Sequence, residues 1–279
     1  MQLLSFRLPQ FTRIMWVTEK AREVWLPRIQ RVAQLFHELE RLAVADGAKP
    51  AAIQAVTPEM LPDLTEWALH RDLMLIPVDL TANPSYSAYV QEPQPGETPA
   101  FRAVLARPDV ARELAEAVKR QDDETTGRLL GYPKCCRDFF DEVWGRHIDT
   151  TWHSAVRTKH SSYRSVAKTV ETLRVSGPPE ANVLLRWIGV RAVPHLPHAF
   201  DCQETVEMGK NLIDVGRAHG YEREMDWLLE MLSWPVEWSA LHGIAVIVTP
   251  VLKISTSTDA TPWKYVVQRE GTSYPEEGA

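Results

Sequence analysis

The sequence predicts an α/β (or α+β) protein, a mixed sheet flanked by helices with a cysteine site at helix N-termini in its second half. Three observations carry that expectation. Strand, helix and strand patterns follow one another in the first eighty residues. A long β run, Gly243 to Ser255, comes after a pair of helical patterns. The only three cysteines, Cys135, Cys136 and Cys202, stand where helical patterns begin.

The elements follow in order. Residues 18–45 read as one amphipathic helix, because Trp25, Ile29, Val32, Phe36, Leu39 and Ala43 share a face that Arg28, Arg31, Glu38 and Arg41 mostly avoid. Ile53 to Val56 is a short strand, and Thr57-Pro58 opens a helix running to about His70. Leu73 to Leu80 is a second strand, with Pro77 at an edge or strand end. His37 and His70 have no partners in sequence and read as ordinary histidines. Residues 81–99, rich in Pro, Ser, Asn and Gly, form a loop and the best internal boundary. The expected organisation is therefore an N-terminal α/β region over 1–98, a cysteine-motif domain over 99–269 and a disordered tail over 270–279.

In the second region Phe101 to Ala106 is a strand, and Pro108 opens a helix lined by Val110, Leu114 and Val118. Asp122-Asp123-Glu124 caps the short helix leading to Gly131. After Cys202, one helix runs to about Arg217 and another from Glu222 to Ser233, broken at Gly220. Pro250 interrupts the β run, and Lys264 to Gln268 is a last strand.

Both cysteine segments place sulfur at a helix start. Pro133 suits the first turn of a helix whose Phe139, Phe140 and Val143 recur at helical spacing. Asp201 can cap the second helix, with Glu204 completing a capping-box-like pair. Free N–H groups and the positive dipole end favour a thiolate there. The metal reading takes Cys135, Cys136, His198 and Cys202 as ligands of an iron–sulfur cluster or a zinc ion. Adjacent cysteines diverge, and the spacing matches no common zinc pattern, so a cluster is favoured over zinc. The plain alternative is a pair of buried small hydrophobes.

The run Gly131-Tyr132-Pro133-Lys134-Cys135-Cys136 resembles the GYPxCC signature of an uncharacterised prokaryotic domain-of-unknown-function family. His195-Leu196-Pro197-His198-Ala199-Phe200-Asp201-Cys202 is similar to that family's second signature, HxPCSxxxC, with His198 in place of a cysteine and Ala199 in place of a serine. The resemblance implies a four-ligand centre of cysteine type and no activity. It leaves open a Cys3His site, a three-thiolate site or a degraded one.

Between the two segments, seven basic residues (Arg157, Lys159, Arg164, Lys168, Arg174, Arg186 and Arg191) face two acidic ones, Glu171 and Glu180. That is +5 locally in a chain of −6. The bland reading is a solvated face. The sharper one is a pocket for a small anionic molecule beside the metal, with Arg157, Lys159 and Arg164 holding it.

The overall charge gives no case for nucleic acid or an anionic membrane. Three cysteines build no disulfide framework, no signal-peptide core opens the chain and no apolar run reaches a membrane span, so a cytoplasmic protein is expected. P-loop, GxGxxG and GxSxG motifs are missing. The leading expectation is an iron–sulfur enzyme, a lyase or an oxidoreductase with a redox partner protein. The alternatives are a structural zinc module, or metal-free thiol or persulfide chemistry with His195 or His198 as base.

Overall fold

The computed structural model describes residues 11–79, 100–144, 150–167, 170–241, 243–257 and 264–279. The first part of the chain supplies strand β1 (Thr12–Trp16), helix α1 (Glu19–Ala45), strand β2 (Ala51–Val56), helix α2 (Leu61–Leu69) and strands β3 (Met74–Asp79) and β4 (Phe101–Ala106). Helices α3 (Pro108–Lys119), α4 (Asp123–Leu129), α5 (Lys134–Trp144) and α6 (Thr150–Arg157) follow. Strands β5 (Ser162–Ala167) and β6 (Val170–Val175) lead to helices α7 (Gln203–Ala218) and α8 (Glu222–Ser233). Strands β7 (Val236–Leu241), β8 (Ile244–Val248), β9 (Leu252–Ser257) and β10 (Lys264–Arg269) complete the described elements.

Two sheets result. The larger runs β1-β9-β8-β7-β10-β6-β5 and is mixed, because β10 pairs with β6 in parallel and its other pairs are antiparallel. The smaller is antiparallel, β2-β4-β3. The apolar face of α1 is buried as its spacing requires, with Trp25, Ile29, Val32, Phe36 and Leu39 all at or below 3% exposure. They join α7, α8 and the large sheet in the main core, where the rings of Trp25 and Trp234 meet edge-on at 4.8 Å.

The chain divides differently from the expectation at 98/99. β4, assigned by that boundary to the second region, is the central strand of the small sheet, between β2 and β3. β1 and α1, assigned to the first, belong to the large sheet and its core. Pairing and burial across long sequence distances override the loop as a divider. The predicted loop over 81–99, Leu80 and Lys168 lie outside the described residues.

Smaller differences have local causes. α2 begins at Leu61, because Thr57 and Pro58 form a turn whose carbonyls accept from Met60 and Leu61, and Pro62 takes the first helical turn. The long β run splits into β8 and β9 at a turn in which the Thr249 hydroxyl accepts from the Val251 and Leu252 amides. Residues 270–279 are not a disordered tail. The buried Trp25 indole needs an acceptor and donates to the Glu277 carbonyl, Arg28 pairs with Glu277, and the Thr272 amide donates to Ser233.

Candidate metal centre

Local sequence sets each ligand in place. Gly131 adopts φ +77, and a Cβ there would stand 3.0 Å from the Pro50 ring. That turn delivers Pro133 to the start of α5, where its carbonyl accepts from Cys136 and Arg137. Cys135 and Cys136 therefore occupy the first turn of α5. Cys202 is itself the N-cap of α7, its carbonyl accepting from Val206. The expected Asp201 cap is not made. The Asp201 carboxylate instead accepts from the amide of Lys159, two residues past the end of α6.

The loop before α7 hangs from α6. The Ser154 hydroxyl donates to the Pro197 carbonyl at 2.6 Å. The Thr158 hydroxyl donates to the Ser154 carbonyl and accepts from the Phe200 amide at 3.0 Å. These buried bonds fix the backbone on both sides of His198.

The four side chains converge. Cys202 Sγ lies 3.7 Å from Cys135 Sγ and 3.9 Å from Cys136 Sγ. His198 Nδ1 lies 3.5 Å from Cys136 Sγ, and all four ligand atoms fall within 4.8 Å of one another. Cys136 and Cys202 are buried, while Cys135 and His198 are half-buried. No disulfide links the three thiols, although sulfurs meet in pairs. A Cys3His group that can hold a metal ion is thus built from two helix starts and one loop.

The electrostatics point the same way. Cys202 is pulled down to about 4, first by the hydrogen bond from Cys136 and then by bonds from Thr205 and Cys135. Cys136 is raised, first because it donates to Cys202 and then by burial. Cys135 is raised to about 11, mainly by burial and then by the charge of Cys202. Three sulfurs in contact cannot all be anions without a cation among them, so the protein alone concentrates the charge on Cys202.

A polar layer lies behind the ligands. The Thr205 hydroxyl is 3.4 Å from Cys136 Sγ and 3.0 Å from His195 Nε2. His195 is 6% exposed, stands outside the four-ligand group and is lowered to about 3, chiefly by burial. Glu204 reaches within 3.9 Å of Cys135 Sγ. Sequence reasoning missed Thr205, Ser154 and Thr158. Thr205 carried a signal, since it sits three residues after Cys202 on the same helix face.

Arg157, Arg174, Arg186 and Arg191 take partners other than the sulfurs. Arg157 pairs with Glu142 and lies over the Phe139 ring at 4.8 Å. Arg164 is exposed on β5, and the Lys159 backbone amide donates to the carboxylate of Asp201, the residue before Cys202. Arg174 donates to Gln268, while Arg186 is buried, bonding Val183 and Thr151 against Trp187. Arg191 is buried over Phe36.

Compared with protein-family models, with curated proteins and with solved structures, the chain matches none. No helix among the described residues is long and apolar enough to cross a membrane.

Proposed function

We propose that the protein is a zinc metalloprotein in which one tetrahedral ion, held by Cys135, Cys136, His198 and Cys202, ties the start of α5 to the start of α7. The supporting observation is the spacing of the ligand atoms. Zn–S bonds of about 2.3 Å and Zn–N bonds of about 2.0 Å give tetrahedral edges of about 3.8 Å between sulfurs and about 3.5 Å from sulfur to nitrogen. The contacts here are 3.7 and 3.9 Å between sulfurs and 3.5 Å from sulfur to nitrogen. In a four-iron cluster each thiolate binds its own iron, and the cluster's width holds the sulfurs out of contact. Adjacent cysteines can share one ion because Cys202 reaches both from the facing helix.

Four protein ligands leave no open position, which is the pattern of structural zinc. When bound, the ion supplies positive charge for three thiolates and a cross-link between segments 66 positions apart in sequence. The same ligand count supports a structural role over the iron–sulfur lyase or oxidoreductase expected from sequence. Cobalt substitution tests the geometry. Intense visible absorption with a thiolate-to-cobalt charge-transfer band, lost in Cys202→Ala, is expected. A weak, six-coordinate spectrum would refute four-ligand binding.

A further inference from the structure

Cys135 differs from the two sulfurs beside it. Cys136 and Cys202 are buried, 3% and 6% exposed, whereas Cys135 is half-buried. The Cys136 sulfur accepts from the His198 amide and from the Thr205 hydroxyl. Cys202 is supported by bonds from Thr205. Among the described residues, no N–H or O–H donates to Cys135 Sγ. Its neighbours are sulfurs and the Glu204 carboxylate, 3.9 Å away.

That difference has a chemical consequence. A hydrogen bond to a thiolate draws charge from it, and a less basic sulfur is a poorer nucleophile. A metal-bound thiolate that accepts no hydrogen bond and faces a carboxylate stays basic, so Cys135 is the nucleophilic member of the set. The Glu204 charge also repels anions, which selects neutral reagents. A capturing thiol stands ready, since Cys202 Sγ is 3.7 Å away on the facing helix. Cys136 is a poor alternative. The Cα atoms of adjacent residues are about 3.8 Å apart, against about 4.4 Å or more in ordinary disulfides.

We propose that Cys135 is a modification site for small neutral hydroperoxides, which open the metal centre through a disulfide between Cys135 and Cys202. The proposal rests on the single-ion reading given above. The Cys135 thiolate attacks one oxygen of hydrogen peroxide. The O–O bond breaks, hydroxide leaves and Cys135 becomes a sulfenic acid. The Cys202 thiolate then attacks that sulfur, the S–S bond forms, and the S–O bond breaks with loss of a second hydroxide. Two thiolates give up two electrons, and the peroxide that takes them becomes two hydroxides. Only Cys136 and His198 remain as ligands, too few to hold an ion against a chelator.

Peptide mapping joined to a zinc-release assay tests it. The full chain is loaded with zinc, its metal content is measured, and equimolar hydrogen peroxide is added in the presence of a chromophoric chelator. Remaining thiols are blocked with N-ethylmaleimide in denaturant before digestion. One zinc released per disulfide is expected, with Cys135 joined to Cys202 and Cys136 recovered as a blocked thiol. Cys135→Ser should slow release about tenfold or more. If that variant holds no zinc, alkylation of the parent decides. Limiting iodoacetamide should label Cys135 first, and its advantage over anionic iodoacetate should narrow about threefold or more in Glu204→Gln. Zinc that stays bound under peroxide overturns the proposal, as does a Cys136–Cys202 or Cys135–Cys136 disulfide as the main product. First labelling at Cys136 or Cys202, or an unchanged reagent preference in Glu204→Gln, also overturns it. A chain that takes up no zinc before peroxide is added refutes the single-ion reading itself, and this proposal with it.

Discussion

Cys136 and His198 meet twice: the cysteine sulfur lies 3.5 Å from the imidazole Nδ1 and 3.4 Å from the backbone nitrogen of the same residue. The amide donates to the sulfur, so the loop orients the thiolate while the ring closes the ligand set. A second donor, Thr205, reaches the same sulfur from α7. The first expectation concerns that support of Cys136.

Once Cys136 is a metal-bound thiolate it only accepts hydrogen bonds, so the Thr205 hydroxyl donates to it and accepts from His195 Nε2–H. Thr205→Val keeps the shape and removes both bonds. Zinc affinity, measured by competition with a chromophoric chelator, should fall about 10- to 100-fold. Thr205→Ser should retain most of it. Equal affinity of the Val variant and the parent would show that the hydroxyl does not support the site.

His195 should give a pH signature. Its folded pKa is about 3 against 6.5 for the free ring, set first by burial and then by Lys49 and His198. Below 6.5 the unfolded chain takes up a proton that the folded chain refuses. Stability therefore declines as pH falls from about 6.5 towards 3, and the term vanishes above that window. The slope approaches about 1.4 kcal/mol per pH unit. In urea melts between neutral and mildly acid pH, His195→Gln should show an acid decline shallower than the parent by about that amount. Parallel declines would mean that the ring is protonated in the folded state.

Thr158 anchors the His198 loop from a distance. Replacing it with Val leaves the buried Phe200 amide without its acceptor. A cost of about 1–3 kcal/mol is expected, together with faster hydrogen exchange at Phe200. Thr158→Ser should behave like the parent. Unchanged exchange at that amide would remove α6 from the account of how His198 is placed.

Gly209 sits inside α7, where alanine would ordinarily gain about 1 kcal/mol in helix propensity. Here a Cβ would lie 2.6 Å from the Glu180 carbonyl oxygen, on backbone that cannot move aside cheaply. Gly209→Ala should therefore destabilise the protein by about 1–3 kcal/mol in a urea melt. A more stable variant would mean that the approach of α7 to residues 179–181 is looser than described.

Helical periods and cysteine positions were legible because both depend on near neighbours. The face of α1, the breaks at Gly131 and Gly220 and the helix starts at Cys135 and Cys202 follow from local rules. Sheet order was not legible. Nothing in the sequence of Phe101–Ala106 says that it lies between β2 and β3, or that β1 pairs with β9 across the whole chain. At the site, Asp201 looked like a cap because Asp commonly is one. Its carboxylate went to the Lys159 amide because the end of α6 arrives there, which is tertiary information. In the basic segment, charge counts say how much charge a stretch carries, not where it points. Of the seven residues, Arg191 does line a cavity, but beside His37 and Arg102 and not against the sulfurs.

Metal and sulfide analysis of protein purified without oxygen tests the central claim most directly. One zinc per chain, no acid-labile sulfide and no visible colour is the predicted result, with zinc lost in His198→Ala combined with Cys202→Ala. Iron with stoichiometric sulfide and a brown spectrum would contradict the single-ion reading and return the site to an iron–sulfur cluster.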